Sequence, residues 1–216
     1  KKLEDIKFPW SSDDDYWDQG YECFKNFAKI KRKYSVPQNF KVGKFNLGSW
    51  TSTQRTNKNQ GLLSEERIEK LNELGFVWDP IDDYWEQGYK SYCSYLERER
   101  HGLVPYDHKE ENFSLGYWVG TQRKNKKGLS ESKIQKLNKL NFIWSALDYE
   151  WDQNFALLER FFQVHKHSNV PKKLEVNGKK LGQWVGVQRR AWRKGKLRVD
   201  RKNRLDSLEF DWTPKG

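Results

Sequence analysis

The chain has 216 residues, of which 35% are apolar, and this argues for several small cores in place of one large one. Its net charge of +11 admits a polyanionic partner, and the two cysteines, Cys23 and Cys93, stand too far apart to be a Cys-x-x-Cys metal pair or a disulfide framework. They are read as buried thiols of a reducing, cytoplasmic setting, and with no apolar run of membrane-spanning length, no membrane partner is expected.

The chain opens on Lys2-Leu3 and Phe8-Pro9-Trp10, which stand 68 residues before Lys70-Leu71 and Phe76-Val77-Trp78. Residues 1–12 therefore read as the tail of a preceding repeat, and the chain as part of a longer protein. Three full copies follow, expected at 13–80, 81–147 and 148–216. Five landmarks keep register in them. Trp17, Trp85 and Trp151 open the copies; Val36-Pro37, Val104-Pro105 and Val170-Pro171 come next. Then follow Leu47-Gly48-Ser49-Trp50, Leu115-Gly116-Tyr117-Trp118 and Leu181-Gly182-Gln183-Trp184, with Gln-Arg at 54–55, 122–123 and 188–189. Each copy closes on Phe-x-Trp, ending at Trp78, Trp144 and Trp212. A period of about 67 residues marks an array of supersecondary units.

The first helix of each copy carries an apolar stripe at helical spacing: Trp17, Tyr21, Phe24 and Phe27, then Trp85, Tyr89, Tyr92 and Leu96, then Trp151, Phe155, Leu158 and Phe162. Asp13, Asp14 and Asp15 at the start of the first and Lys29, Lys31, Arg32 and Lys33 at its end suit the helix dipole. Val-Pro then ends the helix and a loop follows. The second helix begins near Leu47, Leu115 and Leu181. Ser52, Gly120 and Gly186 fall at one equivalent place on its exposed side, and a small residue there is read as room for a neighbouring helix, or alternatively a phosphate. The third helix is expected to be capped by Ser64 and Ser130, with Arg198 at that place in the last copy. The whole reads as all-α, three tandem three-helix bundle repeats, joined by short connections at Asp79–Asp83 and Ser145–Tyr149.

The charge is unevenly shared. Residues 13–80 hold 11 basic and 10 acidic side chains, residues 81–147 hold 11 and 9, and residues 148–216 hold 16 and 9. Local clusters lie where the second helix ends: Arg123, Lys124, Lys126 and Lys127 in the second copy, and Arg189, Arg190, Arg193, Lys194, Lys196 and Arg198 in the third. The first copy has only Arg55 and Lys58 there. A helix dipole needs fewer cations, and phosphates are the common partner of such density. Lys172 and Lys173 extend the basic surface from the adjoining loop, and Trp192, set among Arg190, Arg193 and Lys194, is a candidate for base stacking. The glutamine of Gln-Arg falls beside the apolar stripe, open to a buried hydrogen bond or to base reading. His165 and His167 lack ligand partners and read as a solvated loop. No nucleophile, base and orienting group recur together, and no Gly-x-x-x-x-Gly-Lys-[Ser/Thr] loop is present. Neither a catalytic site nor a cofactor is expected.

The ordered pattern Trp, Val-Pro, Leu-Gly-x-Trp, Gln-Arg, Leu-Ser, Phe-x-Trp resembles the helicase-associated domain, a three-helix repeat found in several copies in large bacterial helicases. The resemblance covers essentially the whole chain. It implies an accessory module that binds DNA or RNA, attached to the motor domains of an ATP-dependent helicase in the same polypeptide. The rival reading is a protein-interaction or spacer array.

Overall fold

The computed structural model describes residues 12–31 and 35–214, so the expected tail at 1–12 lies outside the described residues apart from Ser12. Nine α-helices occur among them: α1 (Ser12–Lys31), α2 (Leu47–Asn59), α3 (Glu65–Glu73), α4 (Pro80–Glu99), α5 (Leu115–Lys124), α6 (Glu131–Lys139), α7 (Ala146–His165), α8 (Leu181–Arg193) and α9 (Val199–Asp206). A short 3-10 turn, Lys126–Gly128, extends α5. The fold is all-α, in three tandem repeats that each run long helix, medium helix, short helix. Two compact units divide the chain, residues 1–90 and 91–216.

In the first unit the α1 stripe closes on α2 and α3. Trp17, Phe24 and Phe27 are buried with Leu47, Trp50, Leu71 and Phe76 in one core. Phe24 meets Phe76 edge-on at 5.1 Å, and Gly20 lies so close to the Trp50 indole that any side chain there would collide with it. In the second unit Tyr92 occupies the place of Phe24 and meets Phe142 at 5.2 Å, while Trp118, Val119 and Leu137 are fully enclosed. The last copy packs Trp151, Phe155, Leu158, Leu181, Val185, Leu205 and Phe210 together. Cys23 and Cys93 differ from expectation in being only half-buried, and neither is joined in a disulfide.

The glycine of Leu-Gly has a steric cause. A side chain on Gly48 would strike the carbonyl of Gln38, and one on Gly116 or Gly182 that of Pro105 or Pro171. The Val-Pro loop therefore lies directly against the first turn of the second helix. The amides of Gly48, Gly116 and Gly182 donate to the carbonyls of Phe40, His108 and Leu174, and each loop folds through the same tight turn, pairing Val42 with Phe45, Glu110 with Phe113 and Val176 with Lys179.

Ser64 and Ser130 cap α3 and α6, each Oγ accepting the amide three residues on. Arg198 makes no such bond at the start of α9. The connections expected at Asp79–Asp83 and Ser145–Tyr149 are instead helical beginnings. Asp79 accepts the amides of Ile81 and Asp82 while Pro80 starts α4, and Ser145 accepts the amide of Asp148 at the start of α7. Proline suits the first helical position because its missing N–H has no partner there.

Candidate functional site

The Gln-Arg pair faces inward. Gln54 Oε1 accepts the buried indole N–H of Trp17 at 3.1 Å, and Gln188 Oε1 accepts that of Trp151 at 3.0 Å. Their amide nitrogens, with that of Gln122, return to the carbonyls of Trp50, Trp184 and Trp118. Each glutamine therefore satisfies polar groups within the bundle, and the hydrogen-bonding alternative holds over base reading. The arginine clamps the closing segment. Nε of Arg55, Arg123 and Arg189 donates to the carbonyls of Val77, Ile143 and Asp211 at 2.7–2.8 Å, with the guanidinium over Phe76, Phe142 or Phe210. Burial pulls all three guanidinium pKa values below the ordinary arginine value, opposed for Arg55 by Asp79 and for Arg189 by Asp211.

Three residues past the arginine, Lys58 and Lys126 hold their ammonium groups over the closing Trp78 and Trp144, 4.1 and 4.5 Å from a ring centroid. Trp192 occupies this place in the last copy and packs on Trp212 at 5.1 Å, partly exposed among the cations. The indole N–H groups of Trp78, Trp144 and Trp212 are held by Asn72, Asn138 and Asp206. A lysine and a tryptophan thus serve one structural position, a cation or a ring on the same indole face.

Two groups of cations lie outside these clamps and bear on the surface. The arginines at the third helices are paired: Arg67 with Asp14, Arg201 and Arg198 with Asp148, and Arg204 with Asp152, while Arg67, Arg201 and Arg204 also lie over Trp17 or Trp151. Arg198 is bound to Asp200 as well, which removes it from the free cluster. Lys124 and Lys127, and Arg190, Arg193, Lys194 and Lys196, are exposed or partly exposed and form no ion pair among the described residues. The same holds for Lys172 and Lys173 in the loop.

The space beside Gly186 is open. A Cβ there would meet nothing within 4 Å, and one on Gly120 only the Tyr106 ring at 4.0 Å; Ser52 is exposed. The neighbouring helix expected at this place is not found among the described residues. The second helix buries the face of its leucine and tryptophan, and a residue five places past the leucine lies about 140° around the cylinder. An open cleft in the last copy is lined there by Lys172, Gln183, Gly186, Arg189 and Arg190. It joins loop and helix cations, Lys172 and Arg190, that stand far apart in the sequence. The repeat pattern alone does not show that the residue after Val-Pro faces this ridge; the packing of the loop on Leu-Gly reveals it.

A family model described as the helicase-associated domain matches residues 14–79, 82–145 and 148–213. The chain belongs to this family. Searches of the curated proteins and of the solved structures gave no match. The helicase-associated domain is an accessory repeat, and its name ties the chain to a helicase. Among the described residues no helix is long and apolar enough to cross a membrane, and no three or more His, Cys, Asp or Glu side chains gather as a metal site would require.

Proposed function

We propose that this helicase-associated array is a sequence-tolerant nucleic-acid-binding module that holds a larger, ATP-dependent helicase on its substrate, taking no part in the catalytic step. The observation that carries the reading is the row of solvent-facing, unpaired cations where the second helix ends: Arg190, Arg193, Lys194 and Lys196 in the last copy, Lys124 and Lys127 in the second. The arginines of the third helices are already engaged by Asp14, Asp148 and Asp152, whereas these six side chains are not. Lys172 across the cleft adds a second bank, so a phosphate lying over Gly186 meets charge from both sides. Neutralising phosphates releases condensed counterions, and affinity then falls steeply with salt.

The test is a titration with labelled duplex and single-stranded DNA and RNA at several salt concentrations. Changing Arg190, Arg193, Lys194 and Lys196 together to Ala should weaken binding across sequences. It should also flatten the slope of log K against log salt by roughly 0.7–0.9 for each phosphate no longer neutralised. An unchanged slope, with circular dichroism intact, would exclude this surface and favour the interaction-array reading.

A further inference from the structure

The ridge that forms the cleft in the last copy carries different chemistry in the second. After Val104-Pro105 comes Tyr106, the open place of Leu-Gly-x-Trp is Tyr117, and Gly120 and Lys124 follow on the same side of α5. The equivalent residues are Lys172, Gln183, Gly186 and Arg190 in the last copy, and Gln38, Ser49, Ser52 and Thr56 in the first. Tyr106 is 75% exposed and Tyr117 56%, more than any other aromatic side chain among the described residues. Neither ring packs on another ring among those residues, in contrast to the stripe and closing tryptophans.

These two tyrosines are nevertheless held in place. The Tyr106 backbone is fixed by the carbonyls of Pro105 and Tyr106 closing over Gly116, and its ring edge faces the Gly120 position at 4.0 Å. Tyr117 rises from the first turn of a helix whose buried side, Leu115, Trp118 and Val119, is fully enclosed. Ring faces on a fixed backbone are what an unpaired base stacks on. In a duplex the bases stack on one another and cannot reach such a surface. The adjoining unpaired cations, Lys124 and Lys127, select a polyanion over an apolar peptide as the occupant.

We infer that the Tyr106–Tyr117 face of the second copy stacks unpaired bases of a single-stranded nucleic acid, with Lys124 on the neighbouring phosphate. This rests on the nucleic-acid reading above and narrows it: single strand is gripped by rings in the second copy and by charge alone in the last. Stacking releases no counterions, so loss of the rings should lower affinity without changing the salt slope.

The experiment uses the whole chain as wild type, as Tyr106→Ala/Tyr117→Ala and as Tyr106→Phe/Tyr117→Phe. Each is titrated with a fluorescent oligothymidine, an abasic strand of equal length and a duplex. The alanine variant should bind oligothymidine about tenfold or more weaker. Its duplex and abasic affinities and its salt slope should stay at wild-type values, and the phenylalanine variant should match wild type throughout. Wild-type oligothymidine affinity in the alanine variant would overturn the inference while leaving the phosphate reading standing, as would equal losses on strand and duplex. Absence of binding to every probe by the wild-type chain would overturn both.

Discussion

At the scale of single residues, the Gln-Arg arginines show how a cation that looks available becomes committed to the fold. Arg189 ties three segments: its Nε holds the Asp211 carbonyl, its Nη2 the Asn169 side chain at 3.2 Å, and its guanidinium covers Phe210. A hydrogen bond to a charged donor contributes about 1.5–3 kcal/mol, and the partly buried carbonyl of Asp211 would lose its partner. Arg189→Ala should therefore lower the stability of the chain by about 1–3 kcal/mol in urea unfolding. Arg189→Lys should recover little, since a lysine lacks the planar fork. Neither change should alter the salt slope of nucleic-acid binding by as much as Arg190→Ala does. An alanine variant of native stability, with a slope lowered as far as by Arg190→Ala, would make Arg189 a phosphate ligand instead. Trp192 illustrates the converse. Sequence sets it apart because the other copies have lysine there, and the structure shows all three residues covering the same closing indole.

At the scale of the element, the three short third helices are similar in length but differ at their ends. α3 and α6 have a serine cap and finish on Gly75 and Asn141, residues that tolerate the left-handed conformation each adopts there, φ 69° and 51°. α9 has Arg198 for a cap and Glu209 at φ 48°. A serine cap contributes about 1 kcal/mol. The exposed ion pair of Arg198 with Asp148 is worth less than that, the more so as Arg201 still holds Asp148. Arg198→Ser and Glu209→Gly should each raise the urea midpoint, and together slow amide exchange in α9. A lower midpoint for Arg198→Ser would mean that the ion-pair network outweighs the cap. The helices themselves are legible in the sequence because their cause is local and repeated: Leu-Gly marks the start of the second helix in every copy, and the serine caps mark the third in the first two. The beginnings of α4 and α7 read as connections because Asp79-Pro80 and Ser145, typical turn residues, are also typical helix starters. What faces Gly120 and Gly186 is not legible, because it depends on how a distant loop folds back. Tyr106 and Tyr117 escape a sequence reading for a related reason: a period reveals the scaffold shared by all copies, and they occur in one.

At the scale of the whole molecule, one scaffold carries three surfaces of different charge. The excess of basic over acidic side chains is one in residues 13–80, two in 81–147 and seven in 148–216, and the unpaired cations at the end of the second helix follow the same order. Since the landmarks that hold each copy together recur in all three, a pure spacer would leave this gradient without a cause; a linear polyanion bound mainly at one end supplies one. Binding should then track the cations and not the repeat. Changing Lys58 to Ala in the first copy should leave the salt slope as it is, because its ammonium is already engaged with Trp78. Changing Lys124 and Lys127 should reduce the slope by the equivalent of up to roughly two phosphates, and the four-residue change in the last copy should reduce it most. Sites with no shared partner act additively, so combining the second- and third-copy changes should sum their effects on binding free energy to within a few tenths of a kcal/mol. Equal slopes for the second- and third-copy variants would show that charge density does not set where the strand lies. A larger than additive loss of affinity would show that the strand engages both copies at once and needs each to keep the other within reach.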